Sequence, residues 1–304
     1  MPVSKRERVR YDYHRRGSRG KAGCYADPRP LSSVETSGPL EHMDLLEARA
    51  LAEGHAGSRH PWERARLNVV VNLLESRRLV GPGSVILDVG CGDTFVADSL
   101  ARQWPGARVA AVDPAFDEPT LRHYRELGAR SGVSVHTHCG DVPEEMRRNA
   151  ALVLLMDVIE HVPDDVALVR GLLDDGVVGP GTKVLVTVPA YQALFSSHDV
   201  QLKHYRRYSR RSLRGALSRA GLRVNECGAF FVSLLPLRIA QMMRDRFART
   251  TDGPPGLAAW SGGETSGRLL AGGLYLDARV AIALQRAGIP LPGLSLYALC
   301  ERAG

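Results

Sequence analysis

Apolar positions along this chain change their spacing more than once. Through residues 1 to about 40, Arg, Gly, Ser and Pro dominate with no sustained period, which predicts a flexible basic tail. From Leu40 onward, Met43, Leu45, Leu46, Ala48 and Leu51 recur at helical spacing. His60-Pro-Trp-Glu63 interrupts that stretch, and Pro61 suits the opening turn of a further helix over about 62–78, whose apolar stripe is Leu67, Val70, Val71 and Leu74. Residues 41–80 are thus expected to form a helical cap. From Ser84 short apolar runs alternate with amphipathic ones. Strands are predicted at 84–89, 108–112, 133–138, 151–156, 182–188, 222–231 and 294–301, and helices at about 94–104, 119–129, 164–174 and 209–220, the last closed by Gly221. Such alternation predicts an α/β fold, a mostly parallel sheet covered by helices on both faces. Between the last two strands, residues 232–288 carry two amphipathic stretches (232–248 and 265–287) joined by a Gly/Pro-rich loop around Asp252–Gly263. They divide the predicted core into 81–231 and a closing strand within 289–304.

Composition alters this picture little. In 304 residues, 44% hydrophobic and 24% charged are the proportions of an ordinary globular chain with a sizeable core. No apolar run approaches the roughly 20 residues of a membrane span, and the first residues lack the apolar segment of a secretory signal. Five scattered cysteines without a CxxC pair point to a reducing cytoplasm and away from a structural zinc site. The net charge of +7 raises the question of nucleic acid. It is nearly all arginine, with only Lys5, Lys21, Lys183 and Lys203 as lysines, and it is concentrated in the tail and in Lys203–Arg219. This resembles GC-rich codon usage more than a phosphate-binding surface, so a nucleic-acid partner is not expected.

The densest chemistry lies in Val85-Ile-Leu-Asp-Val-Gly-Cys-Gly-Asp93, a buried strand running straight into a glycine turn. Two glycines let a backbone approach a ligand where a Cβ would clash, and the next helix would offer free N–H groups. A second strand ends in Asp113, placed to accept hydrogen bonds from ribose hydroxyls, so the pair implies a nucleoside-containing cofactor. There is no G-x-x-x-x-G-K-[ST] phosphate loop, and Gly90-Cys-Gly92 lacks the third glycine of a dinucleotide fingerprint.

Asp88-Val-Gly-Cys-Gly92, Asp113, Gly140-Asp141 after a third strand and Met156-Asp-Val-Ile-Glu-His161 after a fourth occur in the order that resembles class I S-adenosylmethionine-dependent methyltransferases. The likeness covers roughly residues 60–231 and implies a Rossmann-like, doubly wound seven-stranded sheet with an antiparallel last strand. It implies S-adenosylmethionine as cofactor, with Asp88, Gly90 and Gly92 near its methionine portion, Asp113 at the ribose and Asp141 at the adenine amino group. Cys91, Pro114, Gly140, Val142 and Val158 would flank the cofactor, and Asp157 would form the lip between cofactor and acceptor. A sulfonium cofactor with an amino-acid end calls for carboxylates rather than a phosphate cradle, which agrees with the residues present. Many members place a glycine where this chain has Thr94, a departure at the methionine end.

A second cluster follows the fifth strand, in Pro189–Tyr208. Loops at the carboxyl ends of parallel strands overlie the ligand site. His198 or His204 is expected to serve as general base, and Arg206 or Arg207 to hold an anionic group. Asp199, Tyr208 and His161 are expected to contact the acceptor, and Trp62 and Tyr191 to stack on it. The competing reading is a loop ordered by its own hydrogen bonds, with Glu160 and His161 capping the next helix. His198, Asp199 and His204 could also be a 2-His-1-carboxylate set. Their loose spacing weighs against it, and no metal is expected.

The expected function is in-line methyl transfer to a small-molecule acceptor, a specialised metabolite or a saccharide or lipid intermediate. Alternatives are a non-methylating cyclisation or rearrangement on the same fold, and a non-catalytic cofactor-binding protein. The insertion is expected to be a helical lid, with Leu234, Leu235, Leu237, Ile239, Met242 and Met243 serving as core or homodimer interface, as an apolar substrate tunnel, or as a surface resting on a membrane or lipid-linked substrate.

Overall fold

The computed structural model describes residues 59–248 and 263–304, with side chains for 59–243 and 263–304. The expected basic tail, the helix near 41–51 and the loop at 252–262 lie outside the described residues. In chain order the elements are α1 (Pro61–Ser76), β1 (Val85–Val89), α2 (Phe95–Gln103), β2 (Arg108–Val112), α3 (Glu118–Ser131), β3 (Val133–His136), α4 (Glu144–Arg148) and β4 (Ala150–Met156). Then follow α5 (Asp165–Asp174), β5 (Lys183–Pro189), α6 (Ser197–Gln201), α7 (Arg210–Arg219), β6 (Leu222–Phe230), α8 (Leu234–Ala248), α9 (Glu264–Arg286) and β7 (Ser295–Arg302).

The strands form one seven-stranded sheet in the order β3-β2-β1-β4-β5-β7-β6. β1 pairs in parallel with β2 and β4, and β7 runs antiparallel to both β5 and β6. Successive side chains alternate between the two faces. Leu87, Val89, Val112, Val153, Leu155 and Val186 pack on one side with Leu172 of α5 and Leu213 and Leu217 of α7. Ile86, Val109, Leu152, Leu154 and Leu185 pack on the other, against Val70 and Leu74 of α1, Leu100 of α2, Leu121 of α3 and Leu274 and Ile282 of α9. Being buried on both faces, the central strands read in the sequence as unbroken apolar runs.

Strand ends follow the hydrophobic pattern to within one residue, apart from β3, which ends two residues early. It stops at His136 because the Asp141 carboxylate accepts from the His138 backbone N–H (3.1 Å) and from Thr137 Oγ1 (3.1 Å), drawing the chain into a turn. The insertion between β6 and β7 divides in two. α9 is a structural helix, tied to α1 by Arg64–Glu264 and by Arg286 donating to Ser76. α8 instead reaches the loop after β5, where Arg238 donates to Ser196 Oγ (2.5 Å).

Candidate active site

The carboxyl ends of β1 and β4 line one cleft, with the end of β2 bonded to the turn after β1 and that of β5 to Asp157. The chain leaves β1 through Gly90 (φ 75°) and Gly92 (φ 61°), in left-handed conformations that favour glycine. At Gly90 a Cβ would also lie 2.5 Å from Cγ2 of Val158, so β1 and the turn after β4 approach each other only without a side chain there. The turn is strapped to β2: Gly90 N–H donates to the Val112 carbonyl (2.8 Å) and Gly92 N–H to Asp113 Oδ2 (2.9 Å). Asp113 Oδ1 accepts from Ala115 N–H (2.9 Å), so this acid fixes the glycine turn at the place where a ribose is expected. Thr94, where the family likeness led to the expectation of glycine, is itself left-handed (φ 62°), and its hydroxyl donates to Asp98 Oδ2 (3.0 Å).

Asp88, 1% exposed, lies beneath the turn, and its Oδ2 has no hydrogen-bond partner among the described residues. Burial raises its pKa to about 7; the Arg66 guanidinium acts against this, and Asp113 and Asp93 reinforce it. Cys91 is a packing residue with a protonated thiol, because burial, then the charges of Asp113 and Asp88, push its pKa well above the ordinary value.

Above the turn stand two cations that the hydrophobic pattern of the sequence did not single out. Arg59 pairs with Asp93 and lies over the Phe95 ring, 3.9 Å from its centroid. Arg66 pairs with Asp157 and stacks over Trp62 at 4.5 Å. With Glu63, Met156 and the turn they line an open cleft. Arg59 precedes the N-cap of α1 and Arg66 lies in its second turn, seven residues further on. That spacing was the available signal for this pair.

Asp157 has φ 55° and Tyr191 φ 63°, so non-glycine residues are held left-handed at the ends of both β4 and β5. Asp157 Oδ1 accepts from Thr187 Oγ1 (3.1 Å) while Oδ2 faces Arg66. Trp62 lies between Arg66 and Phe231, 6.3 Å from the latter's ring. Gly140 and Asp141 are exposed at the end of β3, Val142 is buried behind them, and Pro114 is exposed beside Asp113.

The loop after β5 folds back on itself through a bridge between Ala190 and Tyr208. Its centre is Asp199, fully buried, which accepts from Arg207 Nε (2.6 Å), contacts His204 Nδ1 (3.0 Å) and lies 3.5 Å from Arg238. Burial would raise its pKa, but the bonds from His204 and Arg207 outweigh that and hold it well below the carboxylate range. Arg207 also donates to the Ala190 carbonyl (3.3 Å). Arg206 turns to the Val162 carbonyl (3.0 Å) and Asp165 (3.2 Å), and the buried Tyr208 hydroxyl donates to Asp165 (2.7 Å). These three, expected to face the acceptor, spend their polar atoms inside the protein, because the Ala190–Tyr208 bridge directs that end of the loop inward.

His198 is half-buried, and burial followed by the charge of Arg238 lowers its pKa. Asp199 sits behind His204, engaged by arginine, so His198, Asp199 and His204 do not surround a common point as a metal set would. Glu160 and His161 do not cap the following helix; Asp164 does, accepting from Ala167 N–H (2.9 Å). The His161 and His204 rings meet edge to face, 4.6 Å between centroids.

A sheet of this order with a glycine turn after its first strand and an acid after its second is the frame of a class I methyltransferase. Residues 63–226 match the family model described as a methyltransferase domain, and the chain belongs to this family, the class I S-adenosylmethionine-dependent methyltransferases. It is 31% identical over 143 residues to a ubiquinone biosynthesis O-methyltransferase of Hahella chejuensis (43% of this chain, 56% of the relative). To one from Xanthomonas oryzae pv. oryzae it is 33% identical over 161 residues (50% and 62%). The chain spans a little over half the length of the first of these relatives. Among solved structures, it matches a chain of the complex containing the Haloferax volcanii Trm112 methyltransferase activator, at 16% identity and TM-score 0.51, over 87% of this chain and all of that one. That likeness concerns the fold alone.

The site fits the family's cofactor: a buried carboxylate oxygen without a partner and a backbone cradle that a Cβ would fill suit the methionine end of S-adenosylmethionine.

Proposed function

We propose that the protein transfers the methyl group of S-adenosylmethionine to an oxygen of a small-molecule acceptor. In this reading Asp88 and the Gly90–Gly92 backbone hold the amino-acid end, with Arg66 or Arg59 turning from its acid to the cofactor carboxylate. Asp113 holds the ribose and Gly140–Val142 border the adenine. When bound, the cofactor supplies a methyl group made electrophilic by its sulfonium. The chain contributes alignment and the exclusion of water, which account for much of the rate in displacements of this kind.

The acceptor oxygen meets the group formed by Glu160, His161 and His204, where its proton is removed. The observation that carries this is the His204 imidazole, 8% exposed, fixed through Nδ1 by a buried carboxylate and directed at the turn after β4. Trp62 and Tyr191 border the acceptor, with His198 at its outer side. Oxygen as the target is supported by the curated relatives, which are named as O-methyltransferases. Exposed Leu237, Ile239 and Met243 on α8, the helix that reaches this loop, support an acceptor with an apolar portion.

The test is incubation with methyl-labelled cofactor and a panel of phenols, catechols, saccharides and lipid-linked alcohols, read as S-adenosylhomocysteine and product mass. Labelled O-methyl product is expected, with His204→Ala lowering kcat and leaving cofactor affinity unchanged. Acceptor conversion without S-adenosylhomocysteine would replace the proposal with a rearrangement, and failure to bind cofactor would replace it with a non-catalytic role.

A further inference from the structure

We propose that Glu160, His161 and His204 are the protein ligands of a divalent transition-metal ion that receives the acceptor oxygen. One donor atom from each of the three lies within 4.8 Å of the other two. Ligands about 2.1 Å from a tetrahedral ion are separated by roughly 3.4 Å, so a closure on the order of 1 Å completes the set. Side-chain rotation supplies that much, and the backbone is already tied. Glu160 and His161 share the short turn after β4, and Tyr205 N–H donates to the Glu160 carbonyl (2.8 Å), seating His204 beside that turn.

Metal-binding imidazoles commonly engage a carboxylate through the second ring nitrogen, which fixes the tautomer and orients the ring. His204 has that arrangement: Nδ1 faces Asp199 at 3.0 Å, leaving Nε2 for the ion. Asp199 is in turn held by Arg207 and Arg238, so its orientation is set from two elements. The supporting carboxylate is therefore Asp199 and the ligating one is Glu160. Glu160 has no exposed surface and lies beside both imidazoles.

Two imidazoles and one carboxylate form a borderline donor set that takes Zn²⁺, Mn²⁺, Fe²⁺ or Co²⁺, whereas Mg²⁺ and Ca²⁺ favour all-oxygen shells. Three protein ligands leave a position open for the acceptor. An acceptor hydroxyl bound there loses its proton to solvent water at a lower pH. Its oxygen then forms the new bond to carbon as the sulfur–methyl bond breaks, leaving a neutral thioether. The inference rests on the acceptor reading above and specifies how the proton is removed.

The test uses the full chain, stripped with chelator and free of cofactor and acceptor. Calorimetric titration with Zn²⁺, and Mn²⁺ titration followed by electron paramagnetic resonance, are expected to give one site that excess Mg²⁺ does not displace. His161→Ala and His204→Ala should each weaken Zn²⁺ binding by at least 30-fold, and Asp199→Asn by about 10–100-fold. The exposed His123→Ala should leave it unchanged. His161 is only half-buried, so His161→Ala keeps its fold, and circular dichroism verifies each variant. Absence of saturable binding, or binding undiminished in both histidine variants, overturns the inference. Cofactor affinity and S-adenosylhomocysteine formation, measured with and without chelator, separate the two claims. Full methyl transfer in chelator removes the ion alone, while an ion bound without methyl transfer to any acceptor removes the acceptor reading alone.

Discussion

Cofactor binding should release a proton, and Asp88 is its source. Without cofactor the Asp88 pKa is about 7, raised chiefly by burial. An amino-acid ammonium arriving beside it requires the carboxylate form. If the bound state holds that pKa far below 6, the apparent affinity is reduced by the fraction of protein already ionised. That fraction is about one-tenth at pH 6 and nine-tenths at pH 8, so affinity should rise about tenfold from pH 6 to pH 8, about 1.4 kcal/mol. S-adenosylhomocysteine is a suitable ligand because it keeps the amino-acid end and lacks the sulfonium. Calorimetry in buffers of different ionisation heat should count about half a proton released at pH 7, and Asp88→Asn should abolish both the release and the slope. A flat affinity profile, or the same slope in Asp88→Asn, would refute the reasoning. Stability without cofactor carries the matching sign. The folded pKa lies above the unfolded value near 4, so between about pH 4 and 7 the folded state binds more protons, and this group's contribution falls as pH rises through that window.

Asp199 acts in the opposite sense. Its depressed pKa gives stability that is complete above the unfolded value near 4 and lost as pH falls below it, so melting between pH 5 and 3 should steepen in wild type relative to Asp199→Asn. Asp199→Ala should cost about 3–5 kcal/mol in denaturant unfolding, because Arg207 is left buried without its carboxylate; a loss below 1 kcal/mol would contradict the hub. Gly90→Ala should weaken cofactor binding, since the new Cβ meets Val158 at 2.5 Å on a backbone of φ 75°. Adding Val158→Ala should recover part of the loss, and no recovery would place the whole effect in the backbone. Arg66→Met keeps an apolar stem over Trp62 but loses the charge, and should raise the cofactor Kd by about tenfold or more while the melting temperature moves little. An unchanged Kd would assign the cofactor carboxylate elsewhere.

The sheet was legible because its central strands are buried on both faces and read as apolar runs of the right length. Asp88, Asp113 and Asp157 were legible because each ends a strand or interrupts one. Arg59 and Arg66 were missed for a physical reason. A cation on an amphipathic helix or in the segment leading into it reads as solvated until the fold shows that it lies over the glycine turn. The loop of Pro189–Tyr208 was recognisable as a polar cluster, but its wiring was not. Arg238 reaches Asp199 from a helix on the far side of β6, and the inward turn of Arg207 and Tyr208 depends on a bridge between Ala190 and Tyr208. Thr94 was conspicuous for lacking glycine, and the fold supplies the cause: its backbone is left-handed even so.

The pairing of β6 with β7 places Phe230 opposite Ser295. Everything from Phe231 to Leu294 therefore departs from and returns to a single rung of the ladder, drawn so tight that a Cβ on Gly293 would sit 2.4 Å from the Phe230 carbonyl. To the sheet, that whole excursion is a hairpin loop, and closing a longer loop costs only about 0.6 kcal/mol per doubling. Its second half is tied to α1, but α8 reaches the loop after β5 with the sheet's geometry already settled by the rung. Lineages could lengthen, shorten or exchange that helix and acquire a new acceptor, while inheriting the cofactor half of the molecule unchanged.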